Sequence, residues 1–423
     1  MKDFNILSKD EIIKYKEKLQ KQYDKYLLEK LNLNMSRGKP CKEQLDLSTD
    51  MLNNKEYISK DNTDLRNYGV LEGIDEAKEL FSNILDIDKN NIIIGGNSTL
   101  NMLYDVITRL YIFGYKGHTP WGKLKKVKIL CPVPGYDRHF DILEHFGFEM
   151  INIPITKSGI DMDMVEKLCG EDEAIKGIIC VPLYSNPTGI CYDEQTVERL
   201  AKLKTKAPDF KIFWDNAYAI HYIYKKINLS NIFKLCEKYN NQDCILYFFS
   251  TSKITFAGGG ISLLAGSNNT IKDTLSHLSI QTIGYDKINQ LKTVRFLKNK
   301  ENTLKLMEKH ANILRPKFDI VLNTLEERFK HNPILRWDKP YGGYFVSVYT
   351  LDNLAKKVVN MCKEAGVILT QAGSTYPKKI DDKDSNIRLA PSFPSEDELK
   401  KAMDIFCLCI ELASLDKILK DKY

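Results

Sequence analysis

A chain of 423 residues can hold one large domain and a smaller second one. Hydrophobic residues at 43% and charged residues at 28% are ordinary for a soluble globular protein, and the net charge of +6 comes from 62 basic and 56 acidic residues, mostly interleaved. With no basic stripe interleaved with aromatics, and no run near ~18 apolar residues, neither nucleic acid nor a membrane is an expected partner.

In chain order, "MKDFNILSKDEIIKYKEKLQKQYDKYLLEK" reads as an amphipathic charged helix to about Leu31, without the apolar core of a signal peptide. The ten cysteines are scattered, some inside apolar runs such as "GIIC" and "IFCLCI", with neither a C-x-x-C pair nor zinc spacing. Reduced structural thiols, a cytoplasmic location and no metal are expected. After an irregular segment through "MSRGKP", short β-rich runs alternate with helical ones. "NIIIGG", "KVKILCPV", "GFEMINIPI", "IKGIICVPL", "FKIFWDNAY" and "CILYFFSTS" read as strands, and "NSTLNMLYDVITRLYIFGY" and "DEQTVERLAKLKTK" as helices between them. Such alternation predicts right-handed βαβ units and a largely parallel sheet, with ligands at the strand carboxyl ends. From about residue 285 one long helical stretch leads to "GGYFVSVY", "GVILTQAG" and "NIRLAPSF", read as a smaller, more antiparallel sheet. A closing helix follows, capped by Ser392 or Ser395. The fold class is α/β, a large domain followed by a smaller one.

The residues after each strand carry the chemistry. Asn97-Ser98-Thr99 open a helix, whose free amides and hydroxyls make an anion pocket. Tyr136 and His139 follow "ILCPV", Asn186 sits in "NPTG", Asp215 and Tyr218 in "WDNAY", and Ser250 and Lys253 in "STSK". Each has a bland reading, as a turn, a cap or a solvated lysine. Together they set an anion pocket, an aromatic ring, an amide, a carboxylate, a phenol and an amine along one sheet edge. Pyridoxal phosphate presents an aldehyde, a phenolic oxygen, a ring nitrogen and a phosphate, and each of these has a candidate partner in that set.

The motifs "YGVLEGIDEAKELF", "VPGYDRHF", "NPTG", "WDNAY", "SxSK" and "IRLAPSFP" resemble fold-type-I pyridoxal-phosphate aminotransferases of classes I and II over nearly the whole chain. "SRGKPCKEQLDLS", "GGNSTLNMLYD" and "TSKITFAGGGIS" are most similar to a divergent bacterial aspartate aminotransferase subgroup. The resemblance implies a mostly parallel seven-stranded sheet in a large cofactor domain (61–310), a small domain (311–423), and an N-terminal helix and segment (1–60) packing with the small domain. Lys253 resembles the Schiff-base lysine and proton shuttle, Asp215 the ring-nitrogen partner, and His139 its orienting neighbour. Tyr218 and Asn186 resemble the phenolic-oxygen ligands and Tyr136 the stacking aromatic. Asn97, Ser98, Thr99 and Ser250 correspond to phosphate contacts, and Tyr68 to a tyrosine reaching the phosphate from the other subunit of a homodimer. Arg388 resembles the α-carboxylate arginine, a role suited to a bidentate guanidinium. Gly38 lies where the family closes a loop over substrate.

Many relatives carry a phosphate-pairing arginine about eight residues after the lysine, where this chain reads "AGGGIS". A glycine nest, Arg66 or Arg138 are the candidate replacements. For a second substrate carboxylate the candidates are Lys287, Lys292 and Arg295. The expected activity is transamination between L-aspartate and 2-oxoglutarate by a ping-pong mechanism. The alternatives are an aminotransferase for aromatic or other amino acids, a β-lyase, and a non-catalytic sensor domain.

Overall fold

Ser8 starts the first helix, Lys9–Leu28: its hydroxyl accepts from the Glu11 amide, and the Glu11 carboxylate accepts from the Ser8 amide. The helix buries Ile12, Leu19 and Tyr23 along one stripe. The computed structural model describes residues 4–423. Along them lie strands β1 (Leu33–Asn34), β2 (Ile92–Ile94), β3 (Lys128–Val133), β4 (Glu149–Thr156), β5 (Gly159–Ile160), β6 (Ile175–Cys180) and β7 (Lys211–Asp215). β8 (Ile245–Ser250), β9 (Ser262–Ala265), β10 (Leu335–Trp337), β11 (Val346–Thr350), β12 (Val367–Ile368) and β13 (Asn386–Leu389) follow.

The large sheet has the order β2-β9-β8-β7-β6-β3-β4-β5. Its centre, β4-β3-β6-β7-β8, is parallel, while β9 runs antiparallel to both β8 and β2. Side chains alternate faces along each strand, and here both faces are buried. Ile212 and Trp214 enter one apolar cluster and Phe213 the other; Tyr247 and Phe249 oppose Leu246 and Phe248 in the same way. The sheet has eight strands where seven are expected. The extra one, β5, is two residues folding back antiparallel on β4.

The second half of the chain departs further from expectation. The long helical stretch is two helices, Lys287–Leu297 and Lys300–Phe329. The break lies at Lys298, with φ 62°, and Asn299 caps the second helix by accepting from the Asn302 amide. The second helix contributes Leu306 and Met307 to the large-domain core and Leu314 and Phe318 to the small one. A boundary at residue 310 therefore falls inside a continuous helix. The small sheet is β10-β11-β13, antiparallel throughout. "GVILTQAG" does not join it: β12 pairs in parallel with β1 instead. Ser395, rather than Ser392, caps the closing helix Glu396–Lys422. The N-terminal segment is divided. Ile12, Leu19, Leu33 and Met35 join the small-domain core, whereas the short helix Thr49–Asn53 packs on Lys287–Leu297 of the large domain.

Two histidines are buried where the domains meet. His310 Nε2 bonds the Ile254 carbonyl at 2.9 Å and its Nδ1 faces the Gln44 amide at 3.1 Å. His221 has no hydrogen-bond partner for either ring nitrogen among the described residues. Burial lowers His221 to about 3 and His310 to about 4. Both are neutral in the fold, whereas the unfolded chain protonates its histidines near pH 6.5. The sign follows from linkage: stability is fully present above pH 6.5 and is lost as pH falls toward the folded values, by about 1.4 kcal/mol per pH unit per histidine. The thermal midpoint should fall steeply between pH 6.5 and pH 5, and His221→Gln and His310→Gln should each flatten that fall. Scanning calorimetry across this range checks it, and equal slopes in parent and variants would refute it.

Candidate active site

The carboxyl ends of β3, β6, β7 and β8 meet the small domain at a cleft of about 790 Å³. Lys253, Asp215, Tyr218, Asn186, Tyr136, Ser98, Thr99, Ser250, Gly38 and Arg388 all line it. The sheet accounts for the grouping, because parallel strands deliver their following loops to one edge.

Asp215 is the last residue of β7 and is 6% exposed. His139 Nε2, on the helix Asp137–His145, lies 2.9 Å from Asp215 Oδ2. Asp215 Oδ1 is buried with no hydrogen-bond partner among the described residues. A buried carboxylate oxygen without a donor is costly, so this position suits a ligand N–H. Tyr136 lies edge-on to His139, with ring centroids 4.9 Å apart. Burial, then the charges of Asp137 and Asp215, push its phenol up to about 12. Tyr218 is raised well above its ordinary value, by burial first and then by Tyr136 and Asp215.

Lys253 follows β8 and is partly buried, its Nζ 5.1 Å from the centroid of the Tyr218 ring and 6.0 Å from that of Tyr344. Burial draws its ammonium below the usual lysine range, and the charge of Asp215 pulls the other way. Ser98 caps the helix Thr99–Ile112, its hydroxyl accepting from the Leu100 amide. Ser250 Oγ donates to Ser252 Oγ, and Ser252 Oγ donates to the Asn97 carbonyl. These hydroxyls beside a helix start form a cradle for an anion.

Arg388 comes from β13 of the small domain. Nη1 donates to Asp137 Oδ1 at 2.9 Å and to Asn186 Oδ1 at 3.2 Å, Nη2 donates to Thr370 Oγ1 at 3.3 Å, and the guanidinium lies over the Phe345 ring. Thr370 also holds the loop at Gly38, donating to the Ser36 carbonyl at 2.6 Å. Gly38 packs closely there: a Cβ would stand 2.4 Å from the tip of the Phe345 ring beneath Arg388, so the ring would have to shift.

Other expected residues stand apart from the cleft. Asn97 is exposed at its rim, its side-chain amide turned to the Gly258 carbonyl. Tyr68 is 82% exposed. Arg66 does not line the cleft; it is held by Asp64 at 2.6 Å and stacks on Tyr57. Nor do Gly258, Gly259 and Gly260 form a nest in it. Gly260 serves packing, since a Cβ would meet the Phe256 carbonyl at 2.9 Å. Arg138 does line the cleft, 3.6 Å from Asp141. Lys287, Lys292 and Arg295 are all absent from the lining, and Arg295 is fixed by Glu56 and the buried Glu76. Residues given no role in the sequence reading are present instead: Asp137, Ser252, Phe345, Thr370, Arg37 and Lys39. Asp137 and Ser252 lie inside "VPGYDRHF" and "STSK", so a local signal for them exists in the sequence. Arg37 and Lys39 flank Gly38 in "SRGKP". Phe345 and Thr370 depend on the domains meeting, which no local pattern reports. Among the described residues no helix is long and apolar enough to cross a membrane, and no group of three or more His, Cys, Asp or Glu could hold a metal ion.

The family model for aspartate amino-transferase matches residues 7–422. A putative aminotransferase of Mycolicibacterium smegmatis is 40% identical, with 99% of this chain and 100% of that one covered. An aspartate aminotransferase of Corynebacterium glutamicum is 40% identical over 95% of this chain and 94% of its own. The crystal structure of an aspartate transaminase from C. glutamicum superposes with a TM-score of 0.94 at 40% identity, covering 97% of this chain and 98% of that chain. With the sheet order and cleft just described, these matches show that the chain belongs to the aspartate aminotransferase family of fold-type-I, pyridoxal-phosphate-dependent enzymes and is an aminotransferase.

Proposed function

We propose that this aminotransferase holds pyridoxal phosphate in the cleft and moves the amino group of L-aspartate to 2-oxoglutarate by a ping-pong mechanism. The observation that carries the reading is that Asp215, whose buried Oδ1 has no donor among the described residues, lines the same cleft as Lys253 and Arg388. Asp215 would pair with the ring nitrogen, held in place by His139. Tyr218 and Asn186 would bond the phenolic oxygen and Tyr136 would stack on the ring. Ser98, Thr99, Ser250 and the adjacent Ser252 would receive the phosphate, with Asn97 at the rim. Bound there, the cofactor supplies an aldehyde for the amino group and a protonated ring that accepts electrons when the substrate Cα–H bond breaks.

The protein's own part is placement and proton transfer. Arg388 grips the α-carboxylate and so fixes Cα relative to Lys253. Lys253, its amine favoured in the neutral form by burial, would take the proton from Cα of the donor and hand it to the cofactor carbon that receives the amino group, and would carry a proton the opposite way, onto Cα of the keto acid, in the second half-reaction. Arg37, Lys39 and Arg138 bring cationic side chains to the same cleft, which favours a substrate with a second carboxylate over an aromatic one. These three replace Lys287, Lys292 and Arg295 as readers of the distal carboxylate. Tyr68, exposed in this chain, would complete the site of a second copy in a homodimer located in the cytoplasm.

Three sets of measurements test this reading. The first is a panel of amino donors with 2-oxoglutarate, in which aspartate should give the highest kcat/KM. Arg37→Gln or Arg138→Gln should lower aspartate more than alanine, and borohydride reduction followed by peptide mapping should find the cofactor on Lys253. A flat panel, or label on another lysine, would overturn the assignment. Second, Asp215→Ala should lose at least about a hundredfold in kcat at saturating cofactor, equivalent to ~2.7 kcal/mol of barrier. A loss of only a few-fold would remove Asp215 from the chemistry. Third, Tyr68→Ala and Lys253→Ala, each nearly inactive alone, should recover activity when mixed and allowed to exchange subunits. No recovery despite demonstrated exchange would place Tyr68 outside the site.

A further inference from the structure

The substrate cleft contains a carboxylate of its own. Asp137 lines it and engages Arg388 through one oxygen and one nitrogen, Oδ1 to Nη1 at 2.9 Å. That nitrogen is shared with Asn186, while among the described residues Nη2 reaches only Thr370, at 3.3 Å. Nε of Arg388 is buried with no partner among the described residues. A guanidinium offers five donors in one plane and matches a carboxylate best through two parallel bonds. Asp137 therefore satisfies the charge of Arg388 but leaves much of its fork unused. A carboxylate arriving with both oxygens would make the better partner.

We propose that Asp137 is a displaceable counter-ion for Arg388, a positioning residue that holds the guanidinium until substrate arrives and sets the affinity an incoming carboxylate must exceed. The inference rests on reading Arg388 as the α-carboxylate grip. Two features give it physical content. Asp137 is tethered at the cleft, so it competes at high effective concentration, and an anion with weak additional contacts does not displace it. Asp137 is also the first residue of the helix Asp137–His145. On leaving Arg388 its charge stays at the helix N-terminus, where free amides favour an anion, so displacement does not strand it. Thr370 links the exchange to the loop over the cleft, because it contacts both Arg388 and the Ser36 carbonyl.

The test is calorimetric binding of succinate, a dicarboxylate without an amino group, to the cofactor-loaded enzyme and to Asp137→Asn and Asp137→Ala. Each variant is first checked for the parent's thermal midpoint and cofactor absorbance. Succinate should bind at least tenfold tighter to the folded variants, and KM for amino donor and keto acid should fall in parallel. Affinity equal to or weaker than the parent's in a folded variant overturns the proposal. Arg388→Gln separates this from the underlying reading: if that variant binds succinate as the parent does, the carboxylate grip itself is wrong. If it loses binding while Asp137→Asn gains none, only the counter-ion proposal fails.

Discussion

A buried carboxylate at the end of a central parallel strand is the constraint on which this site depends. Asp215 has lost water, and His139 compensates only one of its oxygens. An ionised group in that position is expensive unless it is paired. The surrounding structure is arranged to keep it there. β6 and β8 flank β7 in parallel, the Asn216 amide donates to the Phe248 carbonyl, and the helix after β3 brings His139 back onto the strand end. Stability is given up at one atom so that a ligand donor finds a partner already in position.

The small domain brings the Arg388 guanidinium to this edge, and the groups around it hold its orientation. Phe345 supports its face, Asn186 and Thr370 take its nitrogens, and the loop at Gly38 lies so close to Phe345 that a side chain there would push the ring aside. Arg388 thus ties β13 to loops of the large domain. The cofactor cradle and the carboxylate grip belong to different domains, and their relation is set by contacts that cross between them.

The large domain was legible because its strands obey simple rules. "GIIC", "IFWD" and "LYFF" are short apolar runs, and each became a buried parallel strand with polar residues at or shortly beyond its carboxyl end. The residues gathered there follow from topology alone, with the chemistry of an aldehyde cofactor naming their partners. What escaped depended on non-local pairing. β5 and β12 are two residues each, too short for alternation to show, and β12 finds β1 more than three hundred positions away. Lys298 adopts a left-handed φ that nothing in "FLKNKEN" announces, so two helices read as one. Arg295 looked available for substrate because its acidic partners, Glu56 and Glu76, are remote in sequence. Cations are easily found in a sequence; whether one is already engaged is a tertiary fact.

The helix Lys300–Phe329 connects these levels. Its first half is seated in the large-domain core, with His310 bonded to the carbonyl of the residue following Lys253. Its second half carries the small-domain core from Leu314 onward, and Pro316 lies just inside that half. Proline cannot donate to the carbonyl four residues earlier, so the helical ladder is one bond short there. A long rod with one weakened joint bends at the joint in preference to elsewhere. The ladder is therefore weakest close to where the helix passes from the core beside Lys253 to the core that carries Arg388.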